Sequence, residues 1–139
     1  MQLLSATQTQ GGRPAAPLAH SEESKPHILF PGAFVLLTDD SKCRLARIES
    51  ISILEAFQNA TFVHFDEGKL FIRRSLVECE RRLDNSIFVR ASRDCIVNLS
   101  QVKQPRLLKD GRLIFILKDG REVVFSRRQS VLFRTLRGL

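Results

Sequence analysis

The chain has 139 residues, 43% of them hydrophobic and 27% charged, an ordinary balance for one globular domain and too short for two. No apolar run approaches the ~18 residues of a membrane span and no basic start followed by an apolar stretch marks a secretory leader, so no membrane insertion and a cytoplasmic location are expected. The formal net charge of +7 favours an anionic partner, most often nucleic acid.

The charge is divided unevenly. From residue 69 onward there are 17 Lys and Arg against 7 Asp and Glu, a net of +10, whereas residues 1–68 hold 5 against 8, a net of −3. Thirteen of the 17 later cations are arginine, whose planar fork suits phosphate and guanine. Three cysteines, Cys43, Cys79 and Cys95, form no C-x-x-C pair. That usage fits a reducing compartment and argues against a disulfide scaffold or a zinc site.

Residues 1–27 read as a disordered tail, rich in Gln, Ser, Gly, Pro and Ala and poor in large apolar residues. The domain is expected over 28–139, with packing starting near Ala33 after the Pro31-Gly32 turn. Strands are expected at 34–38 and 44–48 around an Asp39-Asp40 turn, at 51–56, and at 61–65 and 70–73 around Asp66-Glu67-Gly68. The run at 112–117, Lys118-Asp119-Gly120-Arg121 and the run at 122–125 form a hairpin, because Gly accepts the positive φ of a tight turn. Lys109-Asp110-Gly111-Arg112 repeats that signal. Ser75 and Glu78 predict a capping box opening a helix that ends near Asp84-Asn85. Ser126 and Gln129 predict the start of a second helix, presenting Val131, Leu132 and Leu136 to the core, with Phe133 as a further core candidate, and ending at Gly138. Asn98 is expected to cap a short turn over residues 99–102.

Catalytic groupings are missing. His20 and His27 fall in the tail, and His64 sits in a strand without a Cys or Glu at ligand spacing. No phosphate-binding Gly loop or nucleophile elbow is present. Asp39-Asp40 and Asp66-Glu67 read as solvated turn formers rather than metal ligands. No catalytic residue, cofactor or metal is therefore expected, and the chain does not read as an enzyme.

The arginines say more. Arg127 and Arg128 occupy the first turn of the last helix, where a cation opposes the helix dipole, so helix stability does not explain them. Free N–H groups there suit a phosphate, which makes an anion site; two solvated arginines are the plainer alternative. Between buried Phe88 and the run Cys95-Ile96-Val97 lies a polar strip of Arg90, Ser92, Arg93 and Asp94. Arg90 either contacts phosphate or pairs with Glu80 or Asp94.

The order of motifs resembles one family. I-x-x-I-S-I-L-E-A from Ile48, R-R-S-L-x-x-x-E-x-x-L from Arg73, F-V-R-A-S-R-D-C-I-V-N from Phe88 and L-K-D-G-R-E-V-V-F-S-R-R from Leu117 are similar to the LytTR family of bacterial DNA-binding domains, over about residues 34–139. The resemblance implies a mainly β fold with short helices: an elongated stack of small antiparallel sheets. It also implies a transcription regulator whose loops enter successive major grooves of double-stranded DNA, usually over direct repeats, with a second copy on the same DNA. Members commonly carry a receiver domain, for which this chain has no room, so it resembles the stand-alone form or an excised domain.

Three base-reading positions follow from the resemblance. Thr61, with Asn59 beside it, falls in the loop after the I-S-I-L-E-A strand. Arg93, with Ser92 adjacent, falls before I-V-N. Arg128, with Arg127 adjacent, opens the last helix. The family often has His where Ser92 stands and an aromatic near Thr61, and this chain departs at both. Asn59, Arg90, Ser92 and Arg127 are expected to support the readers or hold phosphate. The competing readings are a LytTR-like module that modulates another regulator without binding DNA, and a small basic β-domain that binds RNA.

Overall fold

Apolar and β-branched residues alternate along most of the chain, and the computed structural model, which describes residues 27–139, pairs them into three antiparallel sheets. The expected tail, apart from His27, lies outside the described residues. A hairpin of β1 (Phe34–Thr38) and β2 (Cys43–Arg47) forms the first sheet. The central sheet contains β3 (Ile51–Phe57), β4 (Ala60–Phe65), β5 (Gly68–Ile72), β6 (Phe88–Ser92) and β7 (Cys95–Asn98), in the order β5-β4-β3-β7-β6. The third contains β8 (Val102–Leu107), β9 (Leu113–Leu117) and β10 (Glu122–Val124), in the order β10-β9-β8. Helices α1 (Leu76–Glu80) and α2 (Arg127–Arg137) pack against them.

The central sheet is apolar on both faces, and each face builds a separate core. Leu54, Val63, Leu70 and Ile96 face the first hairpin and α1, together with Leu37, Leu76 and Leu83. Ile53, Ala91 and Val97 face the third sheet and meet Leu117, Val123 and Phe125. Packing reaches ahead of Ala33: Leu29 lies against the first core, bridges Leu83 and bonds the Arg82 carbonyl at 2.8 Å.

Local signals hold where short-range bonds decide. Ser75 and Glu78 close the capping box, although α1 stops after five residues, well before Asp84. The two Lys-Asp-Gly-Arg runs build the same turn twice. Each Asp Oδ1 accepts from the Arg backbone, at 3.1 Å in Asp110 and 2.9 Å in Asp119, and each Gly takes positive φ, 93° and 91°. Asn98 caps the 3₁₀ turn Leu99–Gln101 by accepting from Ser100. Its amide nitrogen also donates to the Ile51 carbonyl at 2.8 Å and the Glu49 carbonyl at 3.2 Å, so a fully buried polar group is satisfied.

Two expectations about packing are corrected. In α2, Phe133 packs inward as expected and Ser130 joins it, whereas Val131, Leu132 and Leu136 are exposed. Ser130 Oγ accepts from the Leu113 backbone at 3.0 Å, and Phe133 meets Phe115 and Phe125 edge-on at 5.3 and 5.7 Å. These bonds fix the helix's rotation against the hydrophobic pattern. The second is the loop expected after β3, which shrinks to the two residues Gln58 and Asn59, because Phe57 already pairs with Ala60 and Ala56 with Thr61.

A polar bridge joins the second and third sheets. Arg121 reaches from the β9–β10 turn to His64 Nδ1 at 2.9 Å and Ser52 Oγ at 2.7 Å. Arginine can only donate, so Nδ1 accepts and the opposite ring N–H points to Glu55, 2.6 Å away. His64 therefore serves the fold as a cross-tie.

Candidate nucleic-acid interface

Strand direction gathers the expected contact positions at one end of the central sheet. β3 rises to the turn at residues 58–59, and β6 rises to the turn at residues 92–95. The two ends are stitched together by the Ala56 N–H, which donates to the Asp94 carbonyl at 2.9 Å. The start of α2 joins them through the Ser126 N–H, which donates to the Ala91 carbonyl at 2.8 Å. β5 ends at the same edge and delivers Arg73 and Arg74.

Arg93 stands on the tip of its turn with its side chain 94% exposed, and the nearest carboxylate, Asp94, lies 3.9 Å away. The turn beneath it is braced. Arg90, mostly buried, donates Nε to Glu80 at 3.2 Å and its NH1 to the Arg93 carbonyl at 2.7 Å and the Ser92 carbonyl at 3.4 Å. Ser92 Oγ accepts from the Asp94 N–H at 3.2 Å. Arg90 and Ser92 thus shape the turn from inside. Of the readings open for Arg90, the structure shows the pairing with Glu80, with NH1 turned to two loop carbonyls.

Thr61 is also corrected. Its side chain has no exposed surface, and its Oγ1 donates to the Arg74 carbonyl at 2.8 Å. A hydroxyl held inside the sheet cannot reach a base edge. The shortened hairpin puts Gln58 and Asn59 at the tip instead, both exposed. Gln58 adopts φ 55°, the left-handed region that glycine and asparagine tolerate best, so this tip carries local strain. Gln58 was not singled out from the sequence; counting back from the Phe57–Ala60 pairing would have found it.

Arg127 and Arg128 are exposed at the first turn of α2, whose N-cap Ser126 accepts from Gln129. They differ in company. Arg127 lies 3.6 Å from Asp110, whose carboxyl sits below its ordinary range because the Arg112 backbone, and then the arginine side chains around it, favour the charged form. Arg128 makes no ion pair or side-chain hydrogen bond among the described residues. Arg73 grips Asp40 through two bonds of 2.9 and 2.6 Å, which lowers the Asp40 carboxyl, so its charge is partly committed to the first hairpin. The edge as a whole is cationic, with amide tips on one side and a helix N-terminus on the other. Among the described residues no cluster of His, Cys, Asp and Glu could hold a metal.

The family model described as LytTr DNA-binding domain matches residues 41–138, and the chain belongs to that family. It is similar to the LytTr DNA-binding domain of a putative methyl-accepting/DNA response regulator from Bacillus cereus, at 25% identity and a TM-score of 0.70, over 77% of this chain and 98% of that one. No curated protein matches the chain.

Proposed function

We propose that the protein is a sequence-specific double-stranded DNA-binding regulator of transcription whose turns enter successive major grooves on one face of the duplex, over direct repeats. The observation that carries this is the convergence of exposed Arg93, exposed Arg128 and the Gln58–Asn59 tip at one end of the sheet stack. Arg93 and Arg128 are the guanine readers, since each presents a guanidinium free to grip O6 and N7 together. Asn59 and Gln58 offer amides suited to adenine. Arg127 holds phosphate at the helix start, while Arg90 and Ser92 act through the turn they brace.

A second reading, an interaction module that modulates another regulator without touching DNA, has the exposed apolar side chains of α2 in its favour. Binding assays with duplex, single-stranded DNA and RNA at matched salt separate the readings. Neutralising about six phosphates lowers duplex affinity roughly 10³-fold between 50 and 200 mM salt. A flat salt response, or equal affinity for RNA, overturns the DNA reading.

A further inference from the structure

The first core is not closed. Between the first hairpin, α1 and the central sheet lies a cavity of about 310 Å³. Ile48, Ile51, Leu54 and Val63 form its floor, all of them buried. Native cores leave few voids larger than a water molecule, and a floor without polar groups does not hold water in place. The volume falls in the range that small ligands occupy.

The two sides of the opening differ. On the hairpin side, Phe34 and Leu36 carry the apolar lining out to the surface, where they are 58% and 62% exposed. On the helix side, Arg74, Glu78 and Arg82 follow one another at intervals of four residues. That spacing ordinarily ties a glutamate to its arginines. Here Glu78 instead turns its Oε1 back to the Ser75 N–H at 2.9 Å, closing the capping box, and no ion pair joins it to either arginine.

Two guanidiniums are thereby left with donors to spare. Arg74 makes no ion pair or side-chain hydrogen bond among the described residues. Arg82 spends only its Nε, on the His27 carbonyl. The acids in the turn that follows β1 are committed elsewhere. Asp39 Oδ1 accepts from the Ser41 and Lys42 N–H groups at 2.9 and 2.7 Å, and Asp40 is gripped by Arg73. The backbone beneath both arginines is pinned: the Arg74 carbonyl accepts from buried Thr61, and the Arg82 carbonyl accepts from the Leu29 N–H at 2.8 Å.

We propose that this cavity binds a free amphipathic carboxylate with a single acyl chain of about ten carbons, the chain on the apolar floor and the carboxylate between Arg74 and Arg82. The length follows from the volume: a methylene fills roughly the ~30 Å³ of a water, so 310 Å³ takes about ten. The head group follows from the donors. A guanidinium fork matches a carboxylate with two parallel bonds. An ammonium would meet like charge there, and a hydroxyl would leave most of the donors unused.

The test titrates the full chain with decanoate below its micelle concentration and follows the side-chain methyl groups by NMR. Decanoate shifts the methyls of Ile48, Ile51, Leu54 and Val63 and gives intermolecular contacts to them; decylammonium does neither. Changing Arg74 and Arg82 together to glutamine weakens decanoate about tenfold, the loss expected of a hydrogen-bonded charged pair. The same change leaves 1-decanol binding and the melting temperature as they were. Changing both to glutamate reverses the preference, so that decylammonium binds and decanoate does not. The proposal is overturned by shifts confined to methyls elsewhere, such as those of Leu132 and Leu136, by no saturable shift short of micelles, or by decanoate affinity that survives in the glutamine variant. Should that variant fail to fold, the unaltered chain decides: equal affinity for decanoate, 1-decanol and decylammonium overturns the proposal as well.

Discussion

The two turns at the binding edge, residues 92–95 and residues 57–60, lie side by side and are built in opposite ways. The first is held from below: Arg90 clamps two of its carbonyls, Ser92 caps Asp94, and Ala56 fastens it to the neighbouring strand. The second is a bare two-residue hairpin with a glutamine in a conformation better suited to glycine. A side chain that must place two parallel hydrogen bonds gains from a rigid mount, and Arg93 has one. The Gln58–Asn59 tip presents amides on a strained turn with no side-chain brace among the described residues, a mount for contacts that tolerate adjustment.

The largest expected effect tests what the rigid mount is for. Arg93→Ala costs ~1–3 kcal/mol on the preferred site and flattens preference at one base position, and Arg128→Ala does the same at another. Folding is unchanged in both, since neither side chain is buried. A randomised-site selection with a melting curve for each variant checks this; equal losses on specific and random duplex make them phosphate contacts.

Arg90→Ala tests the mount itself. Removing the clamp leaves Glu80 and two carbonyls without their donor, and the domain loses about 1 kcal/mol of stability. Affinity falls too, through the loss of the braced turn that carries Arg93. Lysine at 90 does not restore it, because one ammonium cannot reproduce the forked contacts. An unchanged melting temperature together with a reduced salt slope would return Arg90 to the phosphate contacts.

At the other turn the sign reverses. Gln58→Gly relieves the positive φ and raises stability by ~0.5–1 kcal/mol, measured by denaturant unfolding. Because the amide is lost, selectivity at the adjoining base weakens. A stability gain with no change in base preference would make the turn a spacer only.

The smallest effect concerns Cys95, at the foot of the braced turn. Burial, and secondarily the nearby Glu55 carboxylate, push its thiol up to about 12. Burial also raises Cys79, while Cys43 is exposed. At pH 8 a thiol reagent labels Cys43 and leaves the other two protected. Above pH ~9 the unfolded chain releases the Cys95 proton and the folded chain keeps it, so this thiol's contribution to stability falls as pH climbs from about 9 toward 12.

Much of the fold was legible because short-range chemistry announces it. The repeated Asp-Gly turns, the Ser75–Glu78 box and the Asn98 cap each depend on residues a few positions apart. Thr61 was misplaced because nothing in residues 57–61 distinguishes a two-residue turn from a longer loop; the register is set across strands by Phe57 and Ala60. The face of α2 was misread because a serine, not a leucine, bonds the Leu113 backbone. β8 escaped notice because its side chains are almost all exposed and one of them is proline. The Arg121–His64 cross-tie joins residues 57 positions apart, which no local pattern reports.

β8 has a further consequence. It is one of the two edge strands of the third sheet, and its sequence Val-Lys-Gln-Pro-Arg-Leu sets a proline lacking an N–H at Pro105, with Lys103 and Arg106 on either side. Such an edge offers a broken ladder of donors and a repulsive fringe, so another strand cannot zip onto it. At the high local density of a crowded promoter, this edge of the third sheet is thereby guarded against growing by backbone pairing into an amyloid-like ribbon, and associations along it are left to side chains, which can be undone.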